Sequence, residues 1–148
     1  MCFAQAIDIF GTGIVAGVFV MGAVAAHPAA DHLDASSHII LRQDLIRRLR
    51  GFLPPFILLP IAATIAALTL CRSTVMWPVD ALGCILSPAT IGITVAVNAP
   101  LNRRFTWWAP RALPGDWQEH IQRWNAAHSI RMATALGAFA CAVLAGIE

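Results

Sequence analysis

Only two charged side chains, Asp8 and Arg131, interrupt the four apolar stretches of this chain: 6–26, 52–70, 81–99 and 129–147. Each stretch is long enough to cross a hydrocarbon core about 30 Å thick as a helix. Lipid offers no hydrogen bonds, so a spanning segment has to satisfy its backbone internally, and helix is the structure these stretches can adopt. Charged residues make up 12% of the 148, against about 25% in soluble domains. The chain has too little polar surface to coat a water-soluble core. The reading is an all-α integral membrane four-helix bundle, a single domain over 1–148. Pro54, Pro55 and Pro60 fall in the second stretch and Pro88 in the third; membrane helices accept proline where neighbours satisfy the freed carbonyls.

Topology follows from charge placement. All ten basic residues are arginine. Nine lie in the first and third connections or just inside the last helix: Arg42, Arg47, Arg48, Arg50, Arg103, Arg104, Arg111, Arg123 and Arg131. The second connection holds only Arg72. The positive-inside bias then puts both termini on the outer side of the cell membrane and both long connections in the cytoplasm. The net charge of +2 reflects this arrangement and predicts no nucleic-acid partner. Residues 1–26 lack the basic start of a signal peptide and are expected to remain as helix one.

Within the first connection, Ile39, Ile40, Leu41, Leu45, Ile46 and Leu49 recur at helical spacing among arginines. That pattern predicts an interfacial amphipathic helix, ended by Gly51 before helix two. The third connection holds four of the five tryptophans; Trp107 and Trp108 suit an interfacial belt. Asp116 is placed to cap a helix running into the fourth stretch. Gly13 and Gly17 form a GxxxG that would serve packing within the chain or dimerisation equally. Cys2, Cys71, Cys84 and Cys141 show no CxxC pairing. They sit where a disulfide could form, but are read as small buried hydrophobes. Asp8 and Asp80 are read as helix-end residues without a function.

The polar residues of the membrane segments gather at one end. Ser87, Thr90, Thr94 and Asn98 share one side of helix three, and Pro100 is expected to end that helix so that Asn102 turns back. Trp124, His128 and Arg131 share a face at the start of helix four. His27 closes helix one. Helix parity brings His27, Asn98, Asn102, His128 and Arg131 to the same cytoplasmic mouth. An arginine inside a membrane helix marks a functional site by default. Histidine supplies a base near neutral pH, and arginine with asparagine can stabilise an oxyanion. Thr94 and Trp124 are the candidate substrate contacts, Trp124 by stacking on an aromatic. A second chemistry would use His27, His32, His38 and His128 as ligands for copper or iron, although their spacing matches no standard metal motif.

His27–Pro28 at the end of helix one, the long basic connection, NAPLN at 98–102 and WNAAHSIR at 124–131 together resemble the anthrone oxygenase-like family of small four-helix membrane proteins. The resemblance implies an oxygenase that uses O2 to turn an anthrone into an anthraquinone, without an organic cofactor. It further implies that His27 or His128 removes the ring CH2 proton while Arg131 with Asn98 or Asn102 holds the enolate oxygen. The expected partners are a small aromatic or lipophilic substrate, O2 and the lipid bilayer. The competing reading is a non-enzymatic membrane protein, a small carrier or a complex subunit; a carrier would place its polar groups nearer the midplane.

Overall fold

The computed structural model describes residues 2–70 and 76–147, with the side chains of 52–54 and 56 outside that description. Arg72 and Cys71, used in the charge and cysteine readings, lie outside the described residues. The fold is all-α, and among the described residues there is no strand beyond an isolated bridge between Ala109 and Ala112.

The chain order is α1 (Phe3–Met21), a π-helical segment (Gly22–Ala26), α2 (His27–Asp31), α3 (Ala35–Leu70), α4 (Trp77–Ile93), a second π segment (Thr94–Asn98), α5 (Ala99–Trp107) and α6 (Trp117–Gly146). α1 runs through its π turn into α2, and α4 through its π turn into α5, so the described residues form rods over Phe3–Asp31, Ala35–Leu70, Trp77–Trp107 and Trp117–Gly146. Three of them, Phe3–Asp31, Trp77–Trp107 and Trp117–Gly146, are long and apolar enough to cross a membrane, and the fourth carries the shorter apolar segment Ile57–Leu70. Each rod packs on two others: α6 on α1 and α4, and α3 on α1 and α4.

Two expectations about helix ends are corrected. Pro100 does not stop helix three, because the wide turn Thr94–Asn98 comes immediately before it and Ala99 N–H reaches back five residues to Thr94 O. Proline lacks the N–H and crowds the carbonyl four residues earlier; a π turn accommodates both within a continuous rod. The same arrangement precedes Pro28, where His27 N–H donates to Gly22 O. Nor does Gly51 end the amphipathic segment: 35–70 is one helix. Its start does not lie free on a membrane surface either, since Ile39 packs with Leu101, Phe105 and Ile121 in a buried cluster. Gln43 Nε2 fastens it further by donating to Phe105 O (2.8 Å) and Trp108 O (2.9 Å) at the end of α5.

The opposite end of the bundle is more polar than expected. Asp8 and Asp80, near the starts of α1 and α4, are both buried, and Thr64 Oγ1 donates to Asp8 Oδ1 at 2.6 Å. Cys84 and Cys141 are free thiols, as read, whereas Cys2 is disulfide-bonded and corrects that reading. The GxxxG pair splits, with Gly13 meeting Phe139 while Gly17 faces open space.

Small residues set the spacing of the rods. A Cβ on Gly11 would stand 2.7 Å from Pro60 Cγ, so α1 and α3 touch there through a glycine against a ring that cannot rotate away. Gly11→Val is therefore expected to destabilise the detergent-solubilised protein by about 1–3 kcal/mol, read as a lower thermal midpoint.

Candidate functional site at one mouth of the bundle

Arg131 is the centre of the polar cluster. It sits four turns into α6, 7% exposed, and its guanidinium divides between two rods. Nη1 donates to Thr94 Oγ1 of the π turn (3.1 Å), and Nη2 donates to Nδ1 of His128 (2.7 Å). Its Cζ lies over the Phe19 ring at 4.6 Å. Nε is buried with no partner, and no carboxylate among the described residues lies within ion-pair distance. A guanidinium has donors and no lone pair, so Nδ1 of His128 has to be the acceptor.

That bond fixes the state of His128. With Nδ1 accepting, the ring proton belongs to Nε2, which donates to the Phe19 carbonyl at 3.0 Å. His128 is thus a neutral imidazole with both nitrogens committed. The Phe19 carbonyl lies where the π turn begins, and a Cβ on Gly22 would come within 2.9 Å of His128 Nε2. Glycine there lets the two helices approach closely enough for the bond.

His27 stands beside this pair without joining its hydrogen bonds. Its ring is edge-on to His128 (centroids 4.5 Å) and to Trp124 (5.0 Å), and none of its described contacts is a hydrogen bond. The π turn rotates His27 into the cluster instead of leaving it at a solvated helix end.

The two asparagines of NAPLN serve different purposes. Asn98 is fully buried; Nδ2 donates to Trp124 O at 3.2 Å, while Oδ1 has no partner. Asn102, one turn on, accepts from Trp124 Nε1 at 2.8 Å. Together they hold Trp124. The indole stacks on His128 (5.1 Å, 10° between planes) and also carries the guanidinium of Arg42 at 4.5 Å. Its π surface is already in use, so Trp124 acts here as a spacer between protein groups, not as the open stacking platform expected.

The copper or iron alternative does not fit the donors present. Among the described residues no three His, Cys, Asp or Glu side chains gather as a ligand set. His32 is exposed, His128 has no free nitrogen, and His38 Nδ1 faces Asp31 Oδ1 at 4.0 Å.

Sequence reasoning passed over Arg42, Asn125 and Phe19. Arg42 is 7% exposed and donates to Asn125 Oδ1 at 3.3 Å. The signal was available: Ile39, Arg42 and Ile46 share one helical face, so the arginine lies in the apolar stripe. Burial brings Arg42 down to about 10, which leaves it charged at neutral pH. His38, one turn earlier, is held below the ordinary histidine range by burial and then by Arg42.

One turn below Arg131, Ala135 and Thr90 begin a narrow cleft of about 20 Å3. Val15, Ile57 and Ile61 form apolar walls, and the buried Ser87 hydroxyl on its lining has no partner. Thr90 Oγ1 reaches Thr134 Oγ1 at 2.9 Å, which links the cleft to the turn carrying Arg131.

The rods and this mouth define an α-helical membrane protein with a buried arginine–histidine–asparagine site. A family model described as anthrone oxygenase matches residues 44–141, and the chain belongs to that family. Comparison with curated proteins and with solved structures gave no match. The matched segment includes Asn98, Asn102, Trp124, His128 and Arg131; His27, His38 and Arg42 precede it.

Two stability outcomes follow from the bonding. His128→Ala strands Arg131 Nη2 and takes one of two bonds from the Phe19 carbonyl, which keeps Gly22 N–H, and should cost about 2–4 kcal/mol, whereas His27→Ala breaks no hydrogen bond and should cost about 1 kcal/mol or less; thermal unfolding in detergent separates them. The second concerns pH. The unfolded chain protonates His38 near the ordinary 6.5, and the folded chain resists until lower pH. The unfolded state therefore binds more protons below about pH 6.5, and stability falls as pH falls. His38→Leu should flatten that slope between pH 7 and 5.

Proposed function

We propose that the protein is a membrane-embedded oxygenase that uses O2 on a small lipophilic aromatic, of the anthrone-to-anthraquinone type. In this reading all four rods cross the cell membrane, both termini face outward, and the Arg131 site opens to the cytoplasm. One observation carries it: Arg131 is a buried cation without a carboxylate, with its Nε unpartnered and Asn98 Oδ1 unpartnered nearby in the same cluster. A buried charge left uncompensated is costly, and the cost is recovered when a ligand brings negative charge to it.

The chemistry runs on the protein's own groups. The flat rings enter at the mouth between Arg131 and His27, which has to open to admit them, since the cleft below Arg131 has room for only about 20 Å3. His27, the cluster histidine with free nitrogens, takes a proton from the ring CH2 flanked by the aryl rings and conjugated to the carbonyl. The electron pair moves to the carbonyl oxygen, which becomes an enolate facing Arg131 Nε–H. Asn98 Oδ1 accepts a ring hydroxyl. The electron-rich carbon then forms a C–O bond to O2, and the imidazolium of His27 returns its proton to the peroxide. Loss of the second C–H proton with O–O cleavage gives the new carbonyl and one water. CH2 and O2 become C=O and H2O, so the balance needs no other oxidant or reductant. His128 is a positioning residue: it holds the Arg131 fork and takes no proton.

The test is O2 uptake by purified protein with a hydroxyanthrone. His27→Ala and Arg131→Met should each lose at least about 100-fold in kcat, with His27→Ala still folded. Turnover should survive dialysis against a chelator. Parental rates in both variants would sink the assignment.

A further inference from the structure

The site contains a second buried cation that the mechanism above does not use. Arg42 lies ahead of the matched segment, 7% exposed. Its guanidinium rests on two aromatic rings, Trp124 at 4.5 Å and Phe105 at 5.4 Å. Its one described hydrogen bond goes to Asn125 Oδ1. The acid that supports its charge, Asp31, is itself 57% exposed and lies at 4.0 Å from His38 rather than in contact with Arg42.

His38 occupies the same face one turn earlier. It is 3% exposed, edge-on to Trp117 at 5.7 Å, and its Nε2 has no hydrogen-bond partner. Asp31 Oδ1 lies on the Nδ1 side of the ring, at 4.0 Å and beyond hydrogen-bond distance; its charge favours the proton on Nδ1, which leaves the lone pair on Nε2. A buried cation and a buried acceptor thus stand side by side, walled by Phe105, Trp117 and Trp124. His38 Nε2 has no partner, and among the described residues no carboxylate contacts Arg42. Such a pair recognises a ligand that offers an ionised oxygen and a neighbouring O–H at once, on a flat apolar body.

We propose that Arg42 and His38 form a second ligand position at the mouth of the bundle, which takes aromatic hydroxy-anions, a phenolate or aryl carboxylate with an adjacent hydroxyl. Trp124 joins the two positions, since Arg131 Cζ also lies over it, at 5.7 Å. The mouth captures the anionic form from the cytoplasmic side and passes it to Arg131 around the edge of the indole, whose π surface is taken by His128 and Arg42. The aromatic class rests on the oxygenase reading; the demand for an anion rests on Arg42 and His38 alone.

Binding without turnover tests it. The full chain in detergent is titrated with 1,8-dihydroxyanthraquinone, whose absorption reddens on ionisation, and with unsubstituted anthraquinone. The parental protein should bind the dihydroxy compound with a red-shifted spectrum. Arg42→Leu should bind it at least about tenfold more weakly and lose the shift, as expected for hydrogen bonds to a charged group. Arg42→Lys, which keeps the charge, should fall between the two, and His38→Leu should weaken binding about threefold or more. Anthraquinone should bind all four proteins alike. Unchanged binding in Arg42→Leu overturns the proposal, as does an equal loss for both compounds, which would mean that Arg42 only packs. Red-shifted, Arg42-dependent binding without O2 uptake would keep this position and remove the oxygenase reading. Turnover with Arg42-independent binding would do the reverse.

Discussion

The bond from Arg131 to Nδ1 of His128 is the interaction on which the mouth of the bundle depends. It joins neighbours three residues apart on α6, yet it decides how three rods meet. Because the guanidinium can only donate, His128 must present a lone pair on one side and its proton on the other, and that proton goes to the backbone of α1. The other half of the fork goes to Thr94 on the α4 rod. A lysine at 131 would keep the charge but lose the planar fork that serves two partners at once. Nε is the one nitrogen of the guanidinium without a partner, and its N–H is the part available for chemistry.

Charge compensation organises the rest. Two guanidiniums sit in the apolar mouth, padded by Phe19, Phe105 and Trp124. Aromatic faces offer a cation partial stabilisation, of order 1 kcal/mol each, which is less than the desolvation of a buried charge. The carboxylates that could have neutralised them, Asp8 and Asp80, are buried elsewhere in the bundle. The fold therefore keeps its buried acids and its buried bases apart instead of pairing them, and it keeps the basic end receptive to negative charge.

Much of this was legible in the chain. The low charge count gave the class of fold. Helix parity alone brought His27, Asn98, Asn102, His128 and Arg131 together, and the structure gathers all five around Trp124. What could not be read was bonding. His27 and His128 look equivalent as residue types, and only the acceptor requirement of Arg131 separates a committed imidazole from a free one. Trp124 looked open because stacking partners on other elements, Arg42 above all, have no local signature. The burial of Asp8 and Asp80 was not legible, because hydropathy near a segment end does not show whether a carboxylate faces lipid, water or another helix. Pro100 was read as a breaker because single-sequence rules price proline within an α turn, and the wider turn before it was not anticipated.

Those wider turns have a consequence for the geometry of the site. Each π turn adds one residue to a helix without lengthening the rod, so everything beyond it is rotated by about 100° relative to an uninterrupted helix. Beyond the first lies His27; beyond the second lies Asn102. With an uninterrupted helix at either place the side chain beyond would point about 100° away from where it stands. The convergence on this mouth is in that sense a matter of counting: one extra residue in each of two turns sets where His27 and Asn102 point.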